Sequence, residues 1–113
     1  MLKSDPSLYH GASSGGGNMK RSLRITVGGK VQNVGLRERI KNVAEELRVE
    51  GTAENADDGS VLIYVSGESE KLDSLIDAIY EGTKQSSIEF VDVESNTTPR
   101  NFRGVFRIIG EDE

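Results

Sequence analysis

The chain has no cysteine, no tryptophan and a single histidine, His10. Without thiols there is no disulfide framework, no CxxC redox pair and no thiolate zinc site. His10 sits in an N-terminal stretch set apart below. The folded part therefore lacks the commonest general base and the commonest metal ligand, which removes catalytic triads, zincin sites and histidine phosphotransfer. Long apolar runs are missing too: Val61-Leu62-Ile63-Tyr64-Val65 falls far short of the roughly 20 residues a membrane span needs. Basic side chains are in the minority, 14 Lys and Arg against 19 Asp and Glu, for a net charge of -5. Most nucleic-acid affinity comes from neutralising phosphates with Lys and Arg, so any anion site here has to be local. These absences predict a cytoplasmic protein with neither nucleic acid nor membrane as partner.

A length of 113 residues leaves room for one domain. Met1 to Asn18, with its Ser13-Ser14-Gly15-Gly16-Gly17 tract and no apolar period, reads as a flexible arm or expression tag. The domain is predicted to run from Met19 to Glu113. Leu23, Ile25 and Val27 alternate with polar residues up to Gly28-Gly29, the pattern of a half-buried strand stopped by glycine. Leu36, Ile40, Val43, Ala44 and Leu47 make one apolar stripe at helical spacing. Gly51 to Asn55 and Val61 to Val65 flank Asp57-Asp58-Gly59, a strong turn signal, and read as a hairpin. Leu72, Leu75, Ile76 and Ile79 repeat the stripe up to about Tyr80, with Gly82 where a left-handed cap is expected. Ile88 to Val93 and Gly104 to Ile109, rich in β-branched and aromatic residues, complete the strands.

The order β-α-β-β-α-β with a fifth strand at the end predicts an α+β fold, a ferredoxin-like two-layer sandwich with two helices on one face of a mixed sheet. A right-handed crossover makes strands one and two parallel, with strand three between them, so their C-terminal ends meet one edge of the sheet. At that edge the loop Gly29-Lys30-Val31-Gln32-Asn33-Val34-Gly35 opens the first helix. Gly29, Gly35 and Asn33, which tolerates left-handed dihedrals, permit a tight curl with inward amides, a place to hold an anion. Arg37, a cation in the first helical turn, stands at the wrong end of the helix dipole and a bound phosphate would compensate it. Taken alone, a solvated arginine and ordinary turn glycines fit the same residues. Asn55 ends strand two and either orients a nucleophilic water or closes an Asx-turn. Asp57 and Asp58 read as turn formers.

Gly29-Lys30-Val31-Gln32-Asn33-Val34-Gly35-Leu36-Arg37 resembles the first signature of the acylphosphatase family, G-x-V-Q-G-V-x-F-R. Gly51-Thr52-Ala53-Glu54-Asn55-Ala56-Asp57-Asp58-Gly59-Ser60-Val61, followed by Gly67, resembles its second, G-W-V-x-N-x-x-D-G-x-V with a trailing glycine. Asn33, Leu36, Thr52 and Glu54 depart from the pattern, and Glu54 is expected on the sheet face opposite Asn55. The resemblance implies an acylphosphatase, a hydrolase cleaving the carboxyl-phosphate bond of acyl phosphates to carboxylate and inorganic phosphate. By the same resemblance Arg37 holds the phosphate, Asn55 positions the attacking water, and Lys30, Val31, Gln32, Asn33, Val34, Gly35 and Leu36 form the phosphate-binding loop. No cofactor and no metal are implied. The expected partner is a small acyl phosphate, with inorganic phosphate at the loop of a monomer. A non-catalytic relative binding a phosphate or carboxylate metabolite, or a protein, is the alternative. An RNA-recognition module of the same element order fits poorly, since the central strands offer only Tyr64 for stacking.

Overall fold

The alternation that opens at Leu23 builds the longest strand of the sheet. The computed structural model describes residues 19–96 and 100–110. In it, β1 (Lys20–Lys30) turns Leu23, Ile25 and Val27 into the core. Gly28-Gly29 does not stop the strand, contrary to the sequence expectation. The strand continues to Lys30 against β4 (Ser87–Ser95) through a register shift between the two glycines. Glycine inside a strand also marks bulges and close approaches, and both occur here. The Phe90 ring lies where a Cβ on residue 28 would stand, its Cε2 only 2.0 Å away, and Gly29 has φ +119°.

The first stripe forms α1 (Leu36–Leu47), burying Leu36, Ile40 and Ala44. Each large side chain so removed from water contributes roughly 1.5–3 kcal/mol. The helix ends without glycine: Arg48 takes the left-handed conformation itself, and the Val49 amide donates to the Ala44 carbonyl at 2.8 Å. β2 (Glu50–Asn55) and β3 (Val61–Glu68) form the expected hairpin. α2 (Ser69–Glu81) buries Leu72, Leu75 and Ile79. Gly82 terminates it with φ 67° but an extended ψ of -154°, so the left-handed helical cap expected there is replaced by a kink into the next loop. β5 (Phe106–Ile109) starts two residues later than expected, because Arg103 and Gly104 both have positive φ and turn the chain ahead of it.

The sheet order is β4-β1-β3-β2-β5. β1 and β2 both pair antiparallel to β3, and β5 runs parallel to β2. α1 packs on α2, β2 and β5, while α2 packs on β3 and β4. This is the ferredoxin-like α+β sandwich, with β3 inserted between the parallel pair as the crossover argument requires. The register decides what meets at the edge. Val27 faces Val61 and Val61 faces Asn55, one row across three strands. The segment leaving β1 and the end of β2 therefore share an edge. Among the described residues no helix is long and apolar enough to cross a membrane. The arm from Met1 to Asn18, with His10, lies outside the described residues.

Candidate active site

Val31, Val34 and Leu36 point into the core at 1%, 8% and 1% exposure, which pins the loop at three places. Between these anchors Asn33 takes φ 63° and Gly35 φ 79°, so the tight curl expected from their residue types is present. With three side chains committed to the core, the loop offers a ligand mainly backbone. Among the described residues no backbone carbonyl accepts from the amides of Gln32, Asn33, Val34 or Gly35. From behind, the Thr83 hydroxyl donates to the Val34 carbonyl at 2.8 Å. Lys30 ends β1 exposed to solvent.

Arg37 is not the solvated arginine its residue type first suggests. It is only 7% exposed, and its Nη1 donates to the Ile109 carbonyl at 3.4 Å. Ile109 pairs with Glu54 across the β2–β5 ladder, so the guanidinium is tied one residue from Asn55 along that edge. It also stands at the positive end of the α1 dipole, beside the Gly35 N-cap, where no side chain caps the helix. An anion relieves both conditions at once.

Asn55 shares the helix-side face with Ala53 and Val61, both fully buried, while Glu54 lies on the opposite face as expected. Its Oδ1 is buried with no hydrogen-bond partner among the described residues. The Asx-turn alternative therefore fails for Asn55, and Asp58 takes that role. Asp58 Oδ1 accepts from the Ser60 amide at 3.0 Å and from the Ser60 hydroxyl at 2.6 Å. The Ser60 hydroxyl, and next its amide, hold the Asp58 carboxyl below the usual aspartate range, so it persists as an ionised turn brace. Asp57 is exposed. A buried amide oxygen without a partner costs roughly 1–3 kcal/mol, and a native structure that keeps one needs a reason to do so.

Gln32, expected to offer a backbone amide, also uses its side chain. Gln32 Nε2 donates to the Ala56 carbonyl at 2.8 Å and to the Ser60 carbonyl at 2.9 Å. The available signal was an amide side chain set between apolar anchors in a loop. A shallow cavity of about 270 Å³ lined by Glu45, Arg48, Val49, Gly104, Val105 and Phe106 opens at the other end of the strands and takes no part in this edge. Among the described residues no three His, Asp or Glu side chains gather as a metal site.

The family model for acylphosphatase matches residues 23–108, a span that holds the curled loop, Arg37 and Asn55 together. The chain belongs to the acylphosphatase family. An acylphosphatase of Salinibacter ruber is 41% identical over 93 residues, covering 81% of this chain and 95% of that protein. Another, of Archaeoglobus fulgidus, is 38% identical over 73 residues, 65% of this chain and 82% of its own length. Among solved structures, the acylphosphatase of Bacillus subtilis superposes with a TM-score of 0.74 at 30% identity over 80% of this chain and 99% of that one. Full-length HypF in its phosphate- and nucleotide-bound form gives 0.75 at 26% identity, matching 82% of this chain and 12% of its own. With family membership comes the activity: the chain is a hydrolase of the acylphosphatase kind.

Proposed function

We propose that this acylphosphatase hydrolyses acyl phosphates with Arg37 and the amides of residues 30–36 holding the phosphoryl group and Asn55 orienting the attacking water. The observation that carries the reading is the Oδ1 of Asn55, buried and without a partner among the described residues, at the edge it shares with the curled loop. A buried acceptor that the described residues leave unpaired is suited to take a hydrogen bond from the attacking water once substrate is bound. The new bond joins water oxygen to phosphorus, and the bond broken is phosphorus to the acyl oxygen. The leaving carboxylate has a conjugate acid of pKa roughly 4, so it departs without being protonated. That suits a site with no histidine. The proton lost by the water passes to a non-bridging oxygen of the substrate's own phosphate. Charge growing on those oxygens is met by preorganised amides and a guanidinium whose fork can bind two oxygens at once. One copy supplies every group named and none of them is a metal ligand, so the reading has the enzyme work as a monomer and without a metal.

A continuous assay on benzoyl phosphate tests it. Asn55→Ala should lower kcat at least ~100-fold with little change in phosphate inhibition, since a water-orienting group acts chiefly in the transition state. Removing an unsatisfied buried acceptor should leave its melting temperature equal or higher. Arg37→Gln, checked for folding by circular dichroism because Arg37 is buried, should lose both turnover and phosphate binding. Arg37→Lys should restore little, as a point charge does not replace the fork. Wild-type turnover by either the Ala or the Gln variant would overturn these roles.

A further inference from the structure

We propose that Gln32 is a positioning residue for the reaction, acting through Asn55 by means of its side chain. The proposal rests on the reading of Asn55 given above. The β2–β3 turn is closed by the Ala56 amide donating to the Ser60 carbonyl at 2.8 Å and the Gly59 amide to the Ala56 carbonyl at 3.1 Å. Ala56 follows Asn55 directly, and Ser60 precedes Val61, the residue paired with Asn55. The two carbonyls that accept from Gln32 Nε2, at 2.8 and 2.9 Å, therefore lie immediately on the turn side of the last rung of the hairpin, one next to each of its residues. Both acceptors are carbonyl oxygens, so only the nitrogen end of the amide fits between them, and both of its protons are used.

The other end of the clamp is equally fixed. Gln32 sits between Val31 in the core and Asn33 in its left-handed conformation. The clamp thus joins the anion loop, on one side, to the peptide that carries Asn55, on the other. The tip of the turn, Asp57 to Gly59, is exposed, while the rung is seated from its other strand by Val61 in the core. Without the clamp the phosphate cradle and the water-orienting amide would sit on two separately supported segments. Few side chains can substitute: methionine has the reach but no donor, and an ionised glutamate sets a charge against two carbonyl dipoles.

The test compares wild type, Gln32→Met, Gln32→Glu, Asn55→Ala and Gln32→Met/Asn55→Ala on benzoyl phosphate, with inorganic phosphate as inhibitor and thermal melting as the check on folding. Misplacement of a catalytic group by about 1 Å can cost ~100-fold, so Gln32→Met and Gln32→Glu should each lower kcat ~10- to 100-fold. The phosphate inhibition constant should move less than ~3-fold in both, because Arg37 and the loop remain. The double variant should be no slower than Asn55→Ala alone, since residues acting as one unit are not additive. A merely structural clamp would lower melting temperature without this split or this non-additivity. Should one Gln32 variant fail to fold, the other carries the comparison. Asn55→Ala collapsing while both Gln32 variants keep wild-type kcat overturns this proposal alone, as does a fully additive double variant or a phosphate constant that rises as far as kcat falls. Asn55→Ala keeping wild-type turnover overturns the underlying reading and this proposal together.

Discussion

The two segments that form the site edge are held by opposite means. The loop from Val31 to Gly35 is fastened by apolar side chains in the core, with one hydroxyl bond from Thr83 behind it. The turn from Ala56 to Ser60 exposes its tip, buries only Ser60, and is fastened chiefly by hydrogen bonds: two backbone bonds, the Asp58 brace and the Gln32 clamp. Apolar anchoring ignores pH but is sensitive to volume. Hydrogen bonding around a carboxylate tolerates changes of size but feels the proton. A site assembled from both can be injured in either currency, and the injuries should look different.

Leu36→Ala should sharpen this contrast most. It empties a fully buried position under the loop and should cost about 2–5 kcal/mol in denaturant unfolding. Phosphate affinity should fall in the variant while the turn's pH response is unchanged. Asn33→Val comes next. A β-branched residue forced to φ 63° should cost roughly 1–3 kcal/mol and weaken phosphate binding, whereas Asn33→Gly should retain or improve both. Equal behaviour of the two variants, measured by phosphate titration and melting, would show that the curl is not what holds the anion.

Ser60→Ala should have the smallest effect and the only one that depends on pH. The Asp58 carboxyl titrates below its ordinary range because the folded state stabilises the ionised form. The brace is therefore fully present above the unfolded-state value of about 3.9, and is lost as pH falls through the lowered folded value. Wild type should melt slightly above Ser60→Ala at neutral pH, and the gap should close below the usual aspartate range. A gap that persists in strong acid would mean that the hydroxyl acts elsewhere than on Asp58.

The same division explains what the sequence disclosed. Element order, helical stripes and the hairpin were legible, because they depend on periodicity and turn chemistry within a dozen residues. So was the conformation of Asn33, since its residue type already tolerates positive φ. The extent of β1 was misjudged because the meaning of Gly28-Gly29 depends on Phe90, which lies far along the chain. Arg37 announced itself as a cation at the wrong end of a helix, yet its burial and its bond to Ile109, 72 residues away, are products of the β2–β5 pairing. Gln32 was visible as a loop residue, but the use of its side chain required the crossover to bring two turns together. The late start of β5 and the kink at Gly82 were local surprises of backbone conformation, while what stayed hidden at the site was in each case a contact between segments remote in sequence.

β5 has only four residues, forms one border of the sheet, and holds the carbonyl to which Arg37 is tied. Short border strands are the cheapest parts of a domain to open. Arg37, the proposed phosphate ligand, is thus tethered to the shortest strand of the sheet, at its border. Partial opening that frees β5 while the other four strands stay paired would release the tether before the core melts. On heating, catalytic competence should vanish ahead of secondary structure. Anion binding, in turn, should slow hydrogen exchange first in Phe106–Ile109, so that the bound anion acts as a latch on the border strand.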